Sequence, residues 1–202
     1  NALLLKPTGQ ELSQTTLATL QHALLRGIEA VFQLEEGEIL AEPMPTRDER
    51  SGFLLYEATE GGAGVLTRLV AEPETLAEVT RKSLSIMHFA VTDLASLPAD
   101  VHGLVDVPDT SCVAACYRCL MSYYNQPDHE IIDRRSDDAK EVLLRLARST
   151  TSGLDALPVS SRSTQPSASG PEDATLMRWI ELARARELPA ADAEPIAFGD
   201  AQ

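Results

Sequence analysis

All three cysteines of this 202-residue chain fall within eight residues, in the run Cys112-Val113-Ala114-Ala115-Cys116-Tyr117-Arg118-Cys119. Three small buried side chains would be the plain reading, but crowding of this kind points to chemistry. A C-x2-C step lets two thiolates hold one tetrahedral ion, and Cys112 lies near enough in sequence to add a third sulfur. The block therefore reads as most of a zinc site, and the chain must fold so that a fourth ligand reaches it. His129 is the best local candidate, since neutral imidazole is a common zinc ligand. His102, Asp109 and Asp133 rank behind it, and a ligand from outside the chain is an alternative. No obvious general base stands beside the block, so the site reads as structural. His22 and His88, on expected helices, read as packing or surface residues.

Bulk properties narrow the setting. Seventeen basic residues against 31 acidic ones give a net charge of −14, which argues against an autonomous nucleic-acid binder. An odd, clustered set of cysteines does not make a secreted disulfide framework, so a cytoplasmic location is expected. No apolar run reaches the length of a membrane span, and no signal peptide is visible. The sequence opens at Asn1 without a methionine, as expected of a portion of a longer polypeptide.

Along the chain, Leu3-Leu4-Leu5 predicts a short buried strand ending before Pro7. Leu17, Leu20, Leu24, Ile28 and Val31 recur at three and four, a helical stripe that Ser13 or Thr15 can cap. Gly27 inside it marks close packing. Two strands are expected at Ile39 to Glu42 and Gly52 to Thr59, joined by the polar turn Thr46 to Arg50. Helices are predicted through Leu66 and Leu69, from near Pro73 to Met87, and from Asp137 to Arg148 with Val142, Leu143 and Leu146 facing inward. Ser96 to Asp109 reads as loop. Residues 149–170, rich in Ser, Thr, Pro and Gly, read as a flexible linker. Residues 171–202 then begin a further unit or a docking helix carrying Leu176, Trp179 and Ile180.

Two other features bear on function. Gly61-Gly62-Ala63-Gly64 forms a strand-to-helix turn, but it lacks the G-x-x-x-x-G-K-[ST] pattern and any nearby lysine, so it is not an ATP loop. Tight packing is the favoured reading of it; Glu57 and Glu60 offer a carboxylate pair for metal chemistry as the rival. Arg118, Arg134 and Arg135, interleaved with Tyr123 and Tyr124, suit phosphate contact and base stacking. A solvated polar surface balanced by Asp128, Glu130 and Asp133 explains the same residues equally well.

The run Leu54-Leu55-Tyr56-Glu57-Ala58-Thr59-Glu60-Gly61-Gly62-Ala63-Gly64-Val65-Leu66, taken with the cysteine block, resembles the MrfB-like zinc-binding domain. That family carries an aromatic-acidic pair before a Gly-Gly-x-Gly turn, then a cysteine cluster and a Leu-Asp-Lys signature. Ala115 to Cys119 and Ile132-Asp133-Arg134 stand in the latter two places. The pattern Cys-Tyr-x-Cys-Leu-x-Ser-Tyr-x-Asn-Gln-x-x-His and the helix Thr16 to Glu29 are similar to the subgroup in the DrmB component of the DISARM anti-phage system. One departure is clear: Thr110 occupies the position of a further family cysteine. Only Cys112, Cys116 and Cys119 carry over.

The resemblance, which covers roughly residues 1–148, implies a zinc-binding module at or beyond the C-terminal end of a superfamily 2 DNA helicase. The helicase itself, in the same polypeptide or as a separate subunit, supplies any ATPase, since no helicase motif or other catalytic motif is present here. The expected fold is α+β: a small mixed sheet packed by helices, with a cysteine-rich zinc knuckle, then the linker and a separate helix. The expected ligands of Zn2+ are Cys112, Cys116, Cys119 and His129. The expected DNA contacts, made within a complex, are Arg118, Tyr123, Tyr124, Arg134 and Arg135. The setting that the resemblance implies is bacterial DNA processing, in particular phage defence. The alternatives are a metal-dependent phosphodiester hydrolase and an acidic protein–protein scaffold.

Overall fold

The computed structural model describes residues 1–9, 11–58 and 64–152. Its first helix, α1 (Gln14–Phe32), starts where Ser13 accepts the Thr16 N–H at 3.1 Å, satisfying an end group the helix itself cannot. The leucine stripe faces inward as the spacing predicts, but burial continues round the helix through Thr16, Thr19, Gln21 and His22. Each of these polar side chains has a partner. Gln21 donates to the Ala41 carbonyl at 2.9 Å, and Thr19 accepts the Asp133 N–H at 3.0 Å. A helix buried on most sides must lie at the centre of its fold.

The strands β1 (Ala2–Leu5), β2 (Ile39–Met44) and β3 (Gly52–Glu57) form one antiparallel sheet in the order β1-β3-β2. Leu3 pairs with Leu55, and Ala41 pairs with the same residue from the other side. β1 is buried on one face only: Leu3 and Leu5 turn inward while Leu4 is exposed. Pro43 is tolerated because β2 is an edge strand, where no ladder donor is required of it. The turn between β2 and β3 carries Arg47 and Arg50 toward the cysteine region, where both reach Asp128.

α2 (Val65–Ala71) follows β3. Thr59 to Ala63, most of the glycine-rich turn, lie outside the described residues, but the turn's two ends are tied together. Glu57 accepts the Gly64 N–H at 3.2 Å and the Leu66 N–H at 3.0 Å. Desolvation pushes against ionisation, but these backbone bonds outweigh it and hold the Glu57 carboxyl below its usual value. The acidic residue before the turn is thus a helix cap. Gly64 takes a left-handed φ of 69°, which suits a residue without a Cβ.

α3 (Thr75–Ile86) packs against α1 at Gly27. A Cβ there would lie 2.1 Å from Ser83 Oγ and 2.6 Å from the Val79 carbonyl, so glycine lets the two backbones approach. α4 (Asp137–Leu146) is capped by Ser136 and carries Asp137 and Asp138 in its first turn, as the helix dipole favours. Its buried side is Ala139, Leu143 and Leu144, with Val142 and Leu146 half-buried. Arg81 of α3 donates to Ala147 at its far end.

The architecture is α+β, with α1 packed against β2 and β3 as well as α3 and α4. The stretch expected as loop, Ser96 to Asp109, contains a 3-10 turn at Val101–Gly103 and a bridge from Asp106 to Phe89. Of the expected linker only its first four residues are described; Thr151 bonds to Pro73 and Glu72. The rest of that segment and the expected helix after residue 170 lie outside the described residues. Among the described residues, no helix is long and apolar enough to cross a membrane.

Candidate metal centre

The cysteine block folds as a knuckle. Cys116 and Cys119 bracket a turn in which the Cys119 and Met121 N–H groups donate to the Cys116 carbonyl at 3.0 and 3.1 Å. The Cys116 N–H donates in turn to Cys119 Sγ at 3.1 Å. Arg26 of α1 fixes the turn from below by donating to the Cys119 carbonyl. The thiols converge: Sγ of Cys119 lies 3.7 Å from that of Cys112 and 3.6 Å from that of Cys116.

The fourth group that meets them is His88. Its Nε2 lies 3.3 Å from Cys116 Sγ, and the four ligand atoms all fall within 4.8 Å of one another. Thiolates held about 2.3 Å from a tetrahedral ion stand about 3.8 Å apart, so the sulfur spacing fits zinc closely. The charges agree with this. Burial and the Cys119 charge push the Cys112 thiol up to about 12. Burial also works against ionising Cys116, but hydrogen bonds from His88 and the Arg118 backbone prevail and bring it down to about 6. Burial raises Cys119. Three crowded thiols cannot all ionise unaided, and a divalent cation between them removes that conflict.

His88 owes its place to the end of α3. It follows the C-cap residue Met87 and takes a left-handed φ of 67°, a conformation in which histidine is more common than most side chains. The chain then reverses: His88 O accepts the Val107 N–H at 2.9 Å, and Ala90 N–H donates to Val105 O at 2.8 Å. This pairing brings the end of a helix beside Val105 to Val107, just ahead of the cysteine block. Thr110, at the place of the further family cysteine, donates its hydroxyl to the Val107 carbonyl, and His88 completes the cluster.

His129, expected as the fourth ligand, is turned away. Its Nε2–H bonds to Asn125 Oδ1 at 2.8 Å and to the Ser122 carbonyl at 3.1 Å, and its ring meets Tyr117 edge-on. Asn125 accepts the Ser122 N–H and donates to the Leu120 carbonyl. The Asn-Gln-x-x-His pattern therefore shapes the loop after the knuckle. His102, Asp109 and Asp133 also lie outside the four-atom cluster.

The family comparison matches the model described as MrfA Zn-binding domain over residues 20–120, half of the chain and the part that contains all four clustered side chains. The chain belongs to that family. No curated protein and no solved structure matches it. The zinc-binding family expected from the sequence is thereby borne out, and Zn2+ is the cofactor that the family and the Cys3His cluster both indicate. When bound, the ion would crosslink α3's end to the knuckle.

The residues expected to touch DNA separate into two groups. Tyr123 is 76% and Tyr124 64% exposed, with their rings edge-to-face at 5.9 Å. Arg118 is exposed and borders an open cleft of about 800 Å3 beside the thiols, lined also by Tyr117 and Val113. Arg135 is exposed and paired with Asp133 at 3.0 Å. Arg134 is different. Only 2% of it is exposed, and its guanidinium is engaged by Met87 O, Asp106 and Cys112 O while lying over the Phe89 ring. A guanidinium enclosed in this way cannot reach a phosphate, so Arg134 does not suit the role expected of it from the sequence.

Sequence reading also missed the buried group around Asp128. Its carboxylate meets His22 at 2.8 Å, Arg47 at 2.5 Å and Arg50 at 3.0 and 3.1 Å. Burial alone would raise it, but hydrogen bonds from His22 and Arg47 and the charge of Arg50 hold its carboxyl far below the ordinary range. The signal was an acidic residue one position before His129, in a segment read as polar surface.

Proposed function

We propose that this zinc-binding domain presents a DNA-contacting surface within a complex containing a superfamily 2 helicase, in bacterial DNA processing and in phage defence in particular. The observation that carries the reading is the loop after the knuckle. Asn125, His129 and Asp128 hold its backbone in place, while Tyr123 and Tyr124 stand in solvent. Large exposed aromatics on a fixed loop suit base stacking, and Arg118 and Arg135 lie close in sequence to supply phosphate contacts. The net charge of −14 supports action within an assembly rather than alone on DNA. Glu57, the first carboxylate of the hydrolase alternative, has a structural use as the cap of α2.

The test is DNA affinity of the assembled complex as a function of salt. Replacing Tyr123 and Tyr124 by alanine should cost about 1–3 kcal/mol per stacked base. Replacing Arg118 and Arg135 should lower the salt slope by about one unit for each phosphate no longer neutralised. Zinc content and assembly should be unchanged. If affinity and slope both survive all four changes, the domain is an acidic scaffold.

A further inference from the structure

We propose that Arg134 is the positioning residue of the metal centre, the side chain that holds the His88 arm and the cysteine arm in register. The proposal rests on the reading of the Cys3His cluster as a zinc site.

The four ligands come from two segments that nothing covalent joins closely: His88 at the end of α3, and the cysteines of the knuckle. Arg134 touches both. Its Nε donates to the Met87 carbonyl at 2.6 Å, and that carbonyl belongs to the peptide that links Met87 to His88. Its Nη1 donates to the Cys112 carbonyl at 3.4 Å, and its backbone N–H donates to Ala114 O at 2.8 Å. Both Nη atoms also meet the Asp106 carboxylate, and Asp106 bridges to Phe89, the residue after His88. The Phe89 ring lies 4.5 Å below the guanidinium.

Each of these interactions falls on a group beside a ligand. His88 holds a left-handed conformation that residues with a Cβ adopt only with steric strain, so its direction needs outside support. The Met87 carbonyl gripped one residue earlier, and the backbone bridge one residue later from Phe89 to Asp106, whose carboxylate Arg134 also holds, supply it. Arginine suits the task because its planar fork carries donors along several fixed directions, whereas a lysine ammonium is a point charge on a flexible stem. A buried cation beside a centre built from three thiolates also offsets their negative charge.

Residues that orient metal ligands change metal affinity when replaced, by about 10- to 100-fold. The test measures the zinc dissociation constant of the 202-residue chain by competition with a chromophoric chelator, and the visible absorption of its Co2+ form. Arg134→Lys keeps the charge and removes the fork. It should weaken zinc binding by about 10- to 100-fold and shift the cobalt bands. Leu55→Ala, a core change in the sheet, controls for reduced stability and should leave both readings unchanged. Zinc affinity and cobalt bands in Arg134→Lys equal to wild type, or changed no more than in Leu55→Ala, would overturn the proposal.

Should Arg134→Lys fail to fold, Asp106→Asn decides. Asp106 is half-exposed, and the change should weaken zinc binding in the same direction by a smaller factor; no change overturns the proposal. A wild-type chain that binds no zinc would instead overturn the zinc reading, and the role of Arg134 with it.

Discussion

Three side chains, those of His22, Arg47 and Arg50, converge on the Asp128 carboxylate, and its replacement is correspondingly costly. The Arg50 side chain is fully buried, and its Nε and Nη1 have no partner among the described residues, so Asp128 is its main compensation. Asp128→Asn strands that charge and should cost about 3–5 kcal/mol. The pH dependence follows from two shifts of known direction. The depressed Asp128 carboxyl stabilises the fold fully above its unfolded pKa of about 3.9 and loses that contribution as pH falls toward the folded value. Burial lowers His22 in the folded state, so on acidification below about 6.5 the unfolded chain takes that proton first and is favoured. Both effects act in one direction. Melting curves with zinc in excess should show stability falling from about pH 6.5 downward as His22 titrates in the unfolded chain, with wild type falling more steeply than Asp128→Asn only below about pH 3.9, where the Asp128 carboxyl takes up its proton. Parallel curves for the two proteins would contradict this assignment. At this scale the cysteines were legible because chelation by C-x2-C is local. His88 was not, because its approach depends on a left-handed residue and a bridge between segments far apart in sequence. Arg134 was misplaced for a related reason: neighbouring arginines look alike in sequence, while Arg135 faces solvent and Arg134 faces the knuckle.

Among the elements, α1 and α3 carry the closest test of packing. Gly27→Ala removes a weak helix former, which alone would favour the helix by about 0.5–1 kcal/mol. The new methyl would meet the Val79 carbonyl, a backbone atom with little room to move, and overpacking of this kind costs about 1–3 kcal/mol. A net loss of stability is expected in chemical denaturation, and equal or greater stability would show that α3 can shift away. The strands and helices were readable from the spacing of apolar residues, and Gly27 was readable as a close approach. The encirclement of α1 was not, because Thr16, Thr19, Gln21 and His22 are polar. Their burial depends on partners at Ser136, Asp133, Ala41 and Asp128, supplied by other parts of the chain. Glu57 shows the same limit. Its value lies in reaching across the glycine-rich turn to Gly64 and Leu66, which no periodicity reveals.

For the whole molecule, the metal centre is where the end of α3 and the loop that leads to α4 are tied together. Metal binding that joins two segments contributes directly to folding. Chelation should therefore lower the melting temperature of the chain, and readdition of zinc should restore it. One zinc is expected to be held by Cys112, Cys116, Cys119 and His88. Elemental analysis of purified protein tests it most directly, on wild type and on the His88→Ala and His129→Ala variants. Wild type should carry about one zinc per chain, since one tetrahedral centre uses all four ligands. His129→Ala should keep the metal, and His88→Ala should lose it or hold it far more weakly against a chelator. A wild-type chain that is folded without zinc would contradict the account, as would zinc that disappears with His129 and stays without His88.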